Sequence, residues 1–191
     1  SRGLGDVYKR QSQGTGHSRD PYIMKAQDGA EYKYYMVATD ANTTNNYNNT
    51  GLHTWGSNDL ITWDELANPQ FATDKGGGSK TITNMCWAPE AIWDPVAGKY
   101  MVYFATNEAD SAANESAKIY YSYTADFRTF TEKKVLFDPG YGVIDADITP
   151  YGNGYVMLYK KEASSGTGAK KVWYTFKTCL LYTSPSPRDT R

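Results

Sequence analysis

One unit, written three times, constrains this chain more than any other feature. The second copy has the clearest form: Trp87-Ala88-Pro89-Glu90-Ala91-Ile92-Trp93, a turn ending at Gly98, then Lys99-Tyr100 opening an apolar run. Before it, Asp20-Pro21-Tyr22-Ile23 leads through Asp28-Gly29 into Tyr34-Tyr35-Met36-Val37. After it, Ile144-Asp145-Ala146-Asp147-Ile148 leads through Gly152-Asn153-Gly154 into Tyr155-Val156-Met157-Leu158-Tyr159. Each copy is a short segment with an acid near its start, a glycine turn, and a tyrosine-rich strand. A second motif keeps step with the first: Ser57-Asn58-Asp59-Leu60-Ile61-Thr62-Trp63 matches Thr124-Ala125-Asp126-Phe127-Arg128-Thr129-Phe130.

Apolar residues fall on both faces of the predicted strands, as with Tyr34, Met36 and Ala38 against Tyr35 and Val37. A sheet covered on both sides produces that pattern. No segment sustains a helical period. Strands are predicted over 20–26, 32–39, 53–57, 62–66, 87–93, 99–105, 118–123, 129–137, 155–160 and 171–176, with a third unit opening at Val143. The polar stretches 40–50, 68–83 and 107–115 read as loops. Gly76-Gly77-Gly78 lacks the Lys-Ser/Thr and helix of a phosphate loop, so the stretch that holds it is expected to be a flexible connection between units. Repeats of roughly 40 to 70 residues in an all-β chain predict a β-propeller. A β-sandwich, the other all-β answer, leaves the repeat unexplained.

The two ends read differently. The codons that would encode residues 1–11 have a reverse complement encoding Cys-Leu-Leu-Tyr-Thr-Ser-Pro-Ser-Pro-Arg, which is the sequence that begins at Cys179. Unrelated natural termini have no reason to be complementary, and the pair resembles a transposon-borne sequencing adaptor translated at both ends. Residues 1–11 and 178–191 are therefore expected to be foreign, and 12–177 to be part of a propeller domain from a longer chain. Setting those ends aside removes five of the 20 Lys and Arg and two of the 21 Asp and Glu, leaving a net charge of −4. A mildly acidic chain without a basic run does not fit nucleic acid as a partner. Cys86 is the one cysteine left, so no internal disulfide is expected. No apolar run approaches the roughly 18 residues of a membrane span. Oligomeric state and location are not readable from the sequence.

In a propeller the innermost strands converge on one axis. Asp20, Glu90 and Asp145 open equivalent segments and are expected to meet there. Two carboxylates facing one pocket, one a base and one an acid, suit hydrolysis of a glycosidic bond. Asp147 lies two residues beyond Asp145, on the same strand face, and competes with it. Trp87 and Glu90 are expected to line the sugar site, Trp87 by stacking and Glu90 as a wall or structural acid. His17 and His53 are too few and too isolated for a transition-metal site; no metal or cofactor is expected, and no motif marks an ion in the channel.

Arg19-Asp20-Pro21 before a tyrosine-rich strand, Trp87-Ala88-Pro89-Glu90, Ile144-Asp145-Ala146 and the Ser57-to-Trp63 turn, in that order, resemble glycoside hydrolase family 43. The resemblance covers essentially all of 12–177. It implies about three blades of a five-bladed propeller, a carbohydrate substrate, and an inverting cleavage of arabinofuranosyl or xylosyl linkages. It also implies that Asp20 is the general base and that Asp145 tunes and orients the general acid. That acid is a Glu in a Glu-Gly-Pro motif of the following blade. No Glu-Gly-Pro occurs here, so the general acid is expected outside this chain, and the chain alone is expected to be inactive. The rival reading is a non-catalytic sugar-binding propeller module.

Overall fold

The computed structural model describes residues 13–42, 49–72, 85–107, 117–162 and 172–177. The terminal segments predicted to be foreign, and Gly76-Gly77-Gly78, lie outside the described residues. Within them there are eleven strands and no helix, in three antiparallel sheets. The first is β1 (Ser18–Lys25), β2 (Tyr34–Asp40), β3 (Leu52–Ser57) and β4 (Asp64–Ala67). The second is β5 (Cys86–Asp94), β6 (Lys99–Thr106), β7 (Lys118–Thr124) and β8 (Lys134–Phe137). The third is β9 (Val143–Tyr151), β10 (Gly154–Lys161) and β11 (Val172–Lys177). Each sheet is a meander in sequence order, the topology of a propeller blade. The first strands of successive blades are neighbours: β5 packs against β1 on one side and β9 on the other.

Strand β6 shows why the second blade forms where it does. Every residue of Lys99–Thr106 after Lys99 is buried. Side chains alternate across a pleated sheet, so a strand with two apolar faces must be covered twice. Tyr100, Val102 and Phe104 join Tyr35, Val37 and Leu52 of the first blade in one core. Met101, Tyr103 and Ala105 join Ile144, Ala146, Ile148 and Met157 of the third in another. One strand thus contributes to both inter-blade cores.

The two Asp turns noted in the sequence are superimposable in their bonding. Asp59 Oδ1 accepts the Ile61 and Thr62 N–H groups at 2.8 and 2.7 Å, while Ser57 Oγ accepts that of Leu60 at 2.9 Å. Asp126 Oδ1 accepts from Arg128 and Thr129 at 2.8 and 2.9 Å, and Thr124 Oγ1 accepts from Phe127 at 2.8 Å. These bonds hold Leu60 and Phe127 in the left-handed region, at φ 64° and 56°. A non-glycine residue occupies that region only where its surroundings force it there. Phe127 is fully buried and stacks on Tyr35 of the first blade with centroids 4.3 Å apart; Thr54 Oγ1 donates to its carbonyl at 2.7 Å. Leu60 is 47% exposed. The turn is the same, and only in the second blade does its apex serve as a wedge between blades.

The predicted strand over 129–137 is too long: β8 begins at Lys134. Residues 129–131 use their backbone groups on the turn instead. Thr129 N–H goes to Asp126, Thr131 N–H donates to the Tyr123 carbonyl at 3.0 Å, and the Thr131 carbonyl accepts from Ser122 Oγ at 2.6 Å. The other predicted strands are observed with ends shifted by one or two residues. Replacing Phe127 by Ala removes a fully buried ring and is expected to cost about 3–5 kcal/mol. Leu60→Ala at the equivalent position should stay within about 0.5 kcal/mol, and urea denaturation of the two variants measures the difference.

Candidate active site

Each inner strand carries the same irregularity at the same place. Arg19 pairs with Thr39 and Tyr22 with Val37, so three steps on β1 run beside two on β2. Trp87 pairs with Ala105 and Glu90 with Tyr103; on β9, Ile144 faces Lys160 and Asp147 faces Leu158. Each is a bulge with one extra residue, and its first residue is left-handed: Asp20 at φ 50°, Ala88 at 44° and Asp145 at 52°. Pro21 and Pro89 come next. Proline has no N–H to place in a ladder, so a bulge accommodates it.

This register settles which residues are equivalent. Asp20, Ala88 and Asp145 share one position; Tyr22, Glu90 and Asp147 share another, two residues on. The expectation that Glu90 matches Asp20 and Asp145 is therefore corrected, because Ala88 stands in that place. Sequence alignment by acid alone missed this, although the Asp-Pro and Ala-Pro steps mark the bulge. Between the two competing aspartates, Asp145 is the one that corresponds to Asp20.

Asp20 is exposed on β1. Asp145 is 47% exposed and ion-paired with Lys160 of β10, Nζ to Oδ2, at 2.5 Å. The two aspartates are not in contact; β5 lies between their strands. Ala88 N–H donates to Thr39 Oγ1 at 2.9 Å, tying the second bulge to the first blade. Trp87, just before that bulge, is half-buried against the core shared with the third blade, so much of its ring is committed to packing.

Glu90 is the most perturbed carboxyl of the group. Tyr103 Oη, fully buried on β6, donates to Glu90 Oε2 at 2.9 Å and accepts the Ile148 N–H of β9 at 2.9 Å. Burial pushes the Glu90 carboxyl up to about 7; the Tyr103 bond opposes the rise, while Asp147 and then Asp145 reinforce it. Burial, and then the charge of Glu90, push the Tyr103 hydroxyl upward as well. Tyr22 of β1 is raised by burial, Glu90 and Asp147.

A second polar cluster lies at the entry to β1, and the sequence reading of His53 as isolated did not find it. Asp40 and His53 are both buried, with Oδ2 and Nε2 3.5 Å apart. Asp40 Oδ1 accepts from Thr15 N at 3.0 Å and Thr15 Oγ1 at 2.5 Å; Asn68 Nδ2 donates to Oδ2 at 3.1 Å. His53 Nδ1 is 2.8 Å from Ser18 Oγ. Burial lowers the His53 pKa despite the opposing charge of Asp40. Gly14 is required here: a Cβ on it would fall 2.2 Å from Asp40 Oδ2 and 2.4 Å from His53 Nε2, at φ +60°. The segment leading into Asp20 is thus fastened to the first blade. Among the described residues, no three His, Cys, Asp or Glu side chains are grouped so as to hold a metal ion, and no helix is long and apolar enough to cross a membrane.

Three successive meander sheets with neighbouring first strands are the architecture of a β-propeller. Two solved structures share it. An α-L-arabinanase from Penicillium chrysogenum, complexed with arabinobiose, superposes with a TM-score of 0.63 at 15% identity, over 83% of this chain and 46% of that one. An α-L-arabinofuranosidase from Fusarium graminearum, with an iminosugar inhibitor, gives 0.65 at 14%, over 84% and 46%. The family is narrower still. Residues 7–184 match the model of the glycosyl hydrolase 43-related family described as "Probable glycosyl hydrolase domain", and the chain belongs to it. It is also 29% identical over 177 residues to an α-L-arabinofuranosidase of Bifidobacterium longum subsp. longum, covering 81% of this chain. The chain spans 16% of that relative's length.

The Tyr103 hydroxyl has both of its strong bonds across the β5–β9 junction. Tyr103→Phe leaves a buried N–H and one carboxyl oxygen without their partner and is expected to cost about 1–3 kcal/mol. Thermal or urea unfolding measures the loss, and hydrogen exchange at Ile148 N–H should accelerate in the variant.

Proposed function

We propose that the protein containing this chain is an inverting glycosidase that cleaves α-L-arabinofuranosyl linkages in plant cell-wall polysaccharide or oligosaccharide. The observation that carries this is the shared bulge. The bulge recurs on all three inner strands, and on the first and third its left-handed residue is an aspartate, Asp20 and Asp145, where β5 has Ala88. The relatives named for arabinosyl substrates support the choice of sugar.

In this reading Asp20 takes a proton from water as the water attacks the anomeric carbon. Asp20 is exposed, and so able to reach a water molecule. The departing sugar oxygen takes a proton from a carboxylic acid on the far side of the ring, supplied from outside the described residues. Asp145, held by Lys160, stands as the charge that orients that acid and raises its pKa. Trp87 offers what remains of its ring face to the sugar. Activity then needs one ionised and one protonated carboxyl, so the rate should pass through a maximum with pH.

Asp20→Asn in the longer protein removes the base without altering the volume of the side chain. It is expected to lower kcat on arabinan-derived oligosaccharides by about 10²–10⁴-fold with little change in KM. NMR of the first-formed product should show the inverted anomer in the unmodified protein. Full activity of the Asn variant removes Asp20 as the base, and a retained anomer removes the inverting mechanism; no cleavage by the unmodified protein favours a propeller that binds sugar without cleaving it.

A further inference from the structure

The two junctions inside the array are built alike, and their likeness defines the surfaces at its two ends. Each blade has a far face, turned to the blade after it, and a near face, turned to the blade before it. In the first junction Tyr35 and Val37 on a far face share a core with Val102 and Phe127 on a near face. In the second, Met101 and Tyr103 share a core with Met157 and Tyr159. All eight are buried.

Register shows what stands at the same positions on the outer faces. On the far face of the third blade Asp147 pairs with Leu158 and Leu158 with Tyr174, as Glu90 pairs with Tyr103 and Tyr103 with Tyr121. Tyr103 and Tyr121 are buried in the second junction, whereas Leu158 is 40% exposed and Tyr174 75%. On the near face of the first blade Ile23 pairs with Met36, as Ala91 pairs with Val102. Ala91 and Val102 are buried; Ile23 is 50% exposed. The Asp turns complete the comparison. Phe127 is the wedge of the first junction, while Leu60, held left-handed by the same bonds, is exposed, with Ile61 beside it at 73%. The opposite end of this near face is already covered, since Thr15 bonds to Asp40 and Gly14 lies against Asp40 and His53. Its open part is the end that carries Ile23 and Leu60.

A bare far face and a bare near face are the two halves of one junction, and apolar surface on both favours their contact. They cannot meet within one copy, because the second blade stands between them. We propose that a second copy of this chain covers both. The near face of the first blade in one copy packs on the far face of the third blade in the other, repeating the internal junctions. Leu60 then lies against Val156 and Tyr174, the residues in register with Tyr35 and Thr54, which hold Phe127. The contact is head-to-tail, and each copy uses both faces. Two copies of three sheets bring six together, inside the range of about four to eight blades over which propellers close. The inference does not rest on the hydrolase reading, because it concerns packing alone.

Sedimentation equilibrium of this chain tests it. The unmodified chain is expected to pass from monomer to dimer as its concentration rises. Leu60→Asp and Tyr174→Asp each place a charge on one face, at a residue exposed in the single copy, and Asp tolerates the left-handed backbone of Leu60. Both should fold, which circular dichroism and the urea midpoint of the dilute chain check. Each is expected to weaken self-association by about tenfold or more. The mixture of the two variants is the decisive arm. Each keeps the face that the other has lost, so the mixture regains one sound junction and should dimerise more readily than either variant alone. A chain that stays monomeric at every concentration overturns the proposal. Association that either substitution leaves unchanged also overturns it, because the contact then joins like faces or runs through other residues. A mixture that associates no better than its components does the same.

Discussion

A strand with both faces buried leaves its sheet no face for water, and β6 is such a strand. Tyr100, Val102 and Phe104 need the first blade; Met101, Tyr103 and Ala105 need the third. Burial of apolar surface is worth roughly 25 cal/mol per Å², so each of these residues loses a substantial share of its stabilisation if either neighbour is removed. The second blade is therefore not an independent folding unit. The inner strands approach one another because the cores on either side of β6 draw the blades together, and the acids that sit on those strands come along with them.

Cross-blade hydrogen bonds then fix the angle that the apolar contacts leave loose. Gln27 N–H donates to Tyr100 Oη at 2.8 Å, Ala88 N–H to Thr39 Oγ1, Thr54 Oγ1 to the Phe127 carbonyl, and Ile148 N–H to Tyr103 Oη. Each joins a main-chain group of one blade to a hydroxyl of the next. Such groups are costly to leave unmade when buried, which makes them sensitive to small displacements in a way that packing is not. A surface pair, Arg128 with Glu31 at 2.7 Å, spans the same blades but is exposed and adds little.

Most of this fold was legible because its period is short and its signal redundant. Apolar residues on both faces of Tyr34–Asp40, the apolar run within Lys99–Thr106, the glycine turns, and the paired Asp59 and Asp126 motifs all pointed to the same architecture. The site was legible only in part. Aligning Glu90 with Asp20 and Asp145 treated acidity as the marker of position, when the marker was the bulge, and a bulge is a difference of one residue between two paired strands that a single strand cannot display. His53 looked solitary for a related reason: its partners Asp40 and Ser18 are reached across the sheet, and Thr15 of the preceding segment joins them through Asp40. Strand β8 was overextended because Thr129 and Thr131 favour strands by type while their backbone groups were already engaged by the turn.

The buried Asp40–His53 pair gives the first blade a pH response opposite in sign to that of Glu90, whose raised carboxyl favours the folded state at low pH and loses that effect as pH rises to about 7. A histidine whose pKa is lowered on folding stabilises the folded state above its ordinary value of about 6.5 and weakens it as acid is added. Between the ordinary carboxyl and imidazole ranges, acid therefore loosens the attachment of the segment before Asp20 while it tightens the junction of the second and third blades. The two effects oppose each other in the total. A chain whose overall stability hardly changes across that range would still be shifting its weakest point from one end of the sheet array to the other.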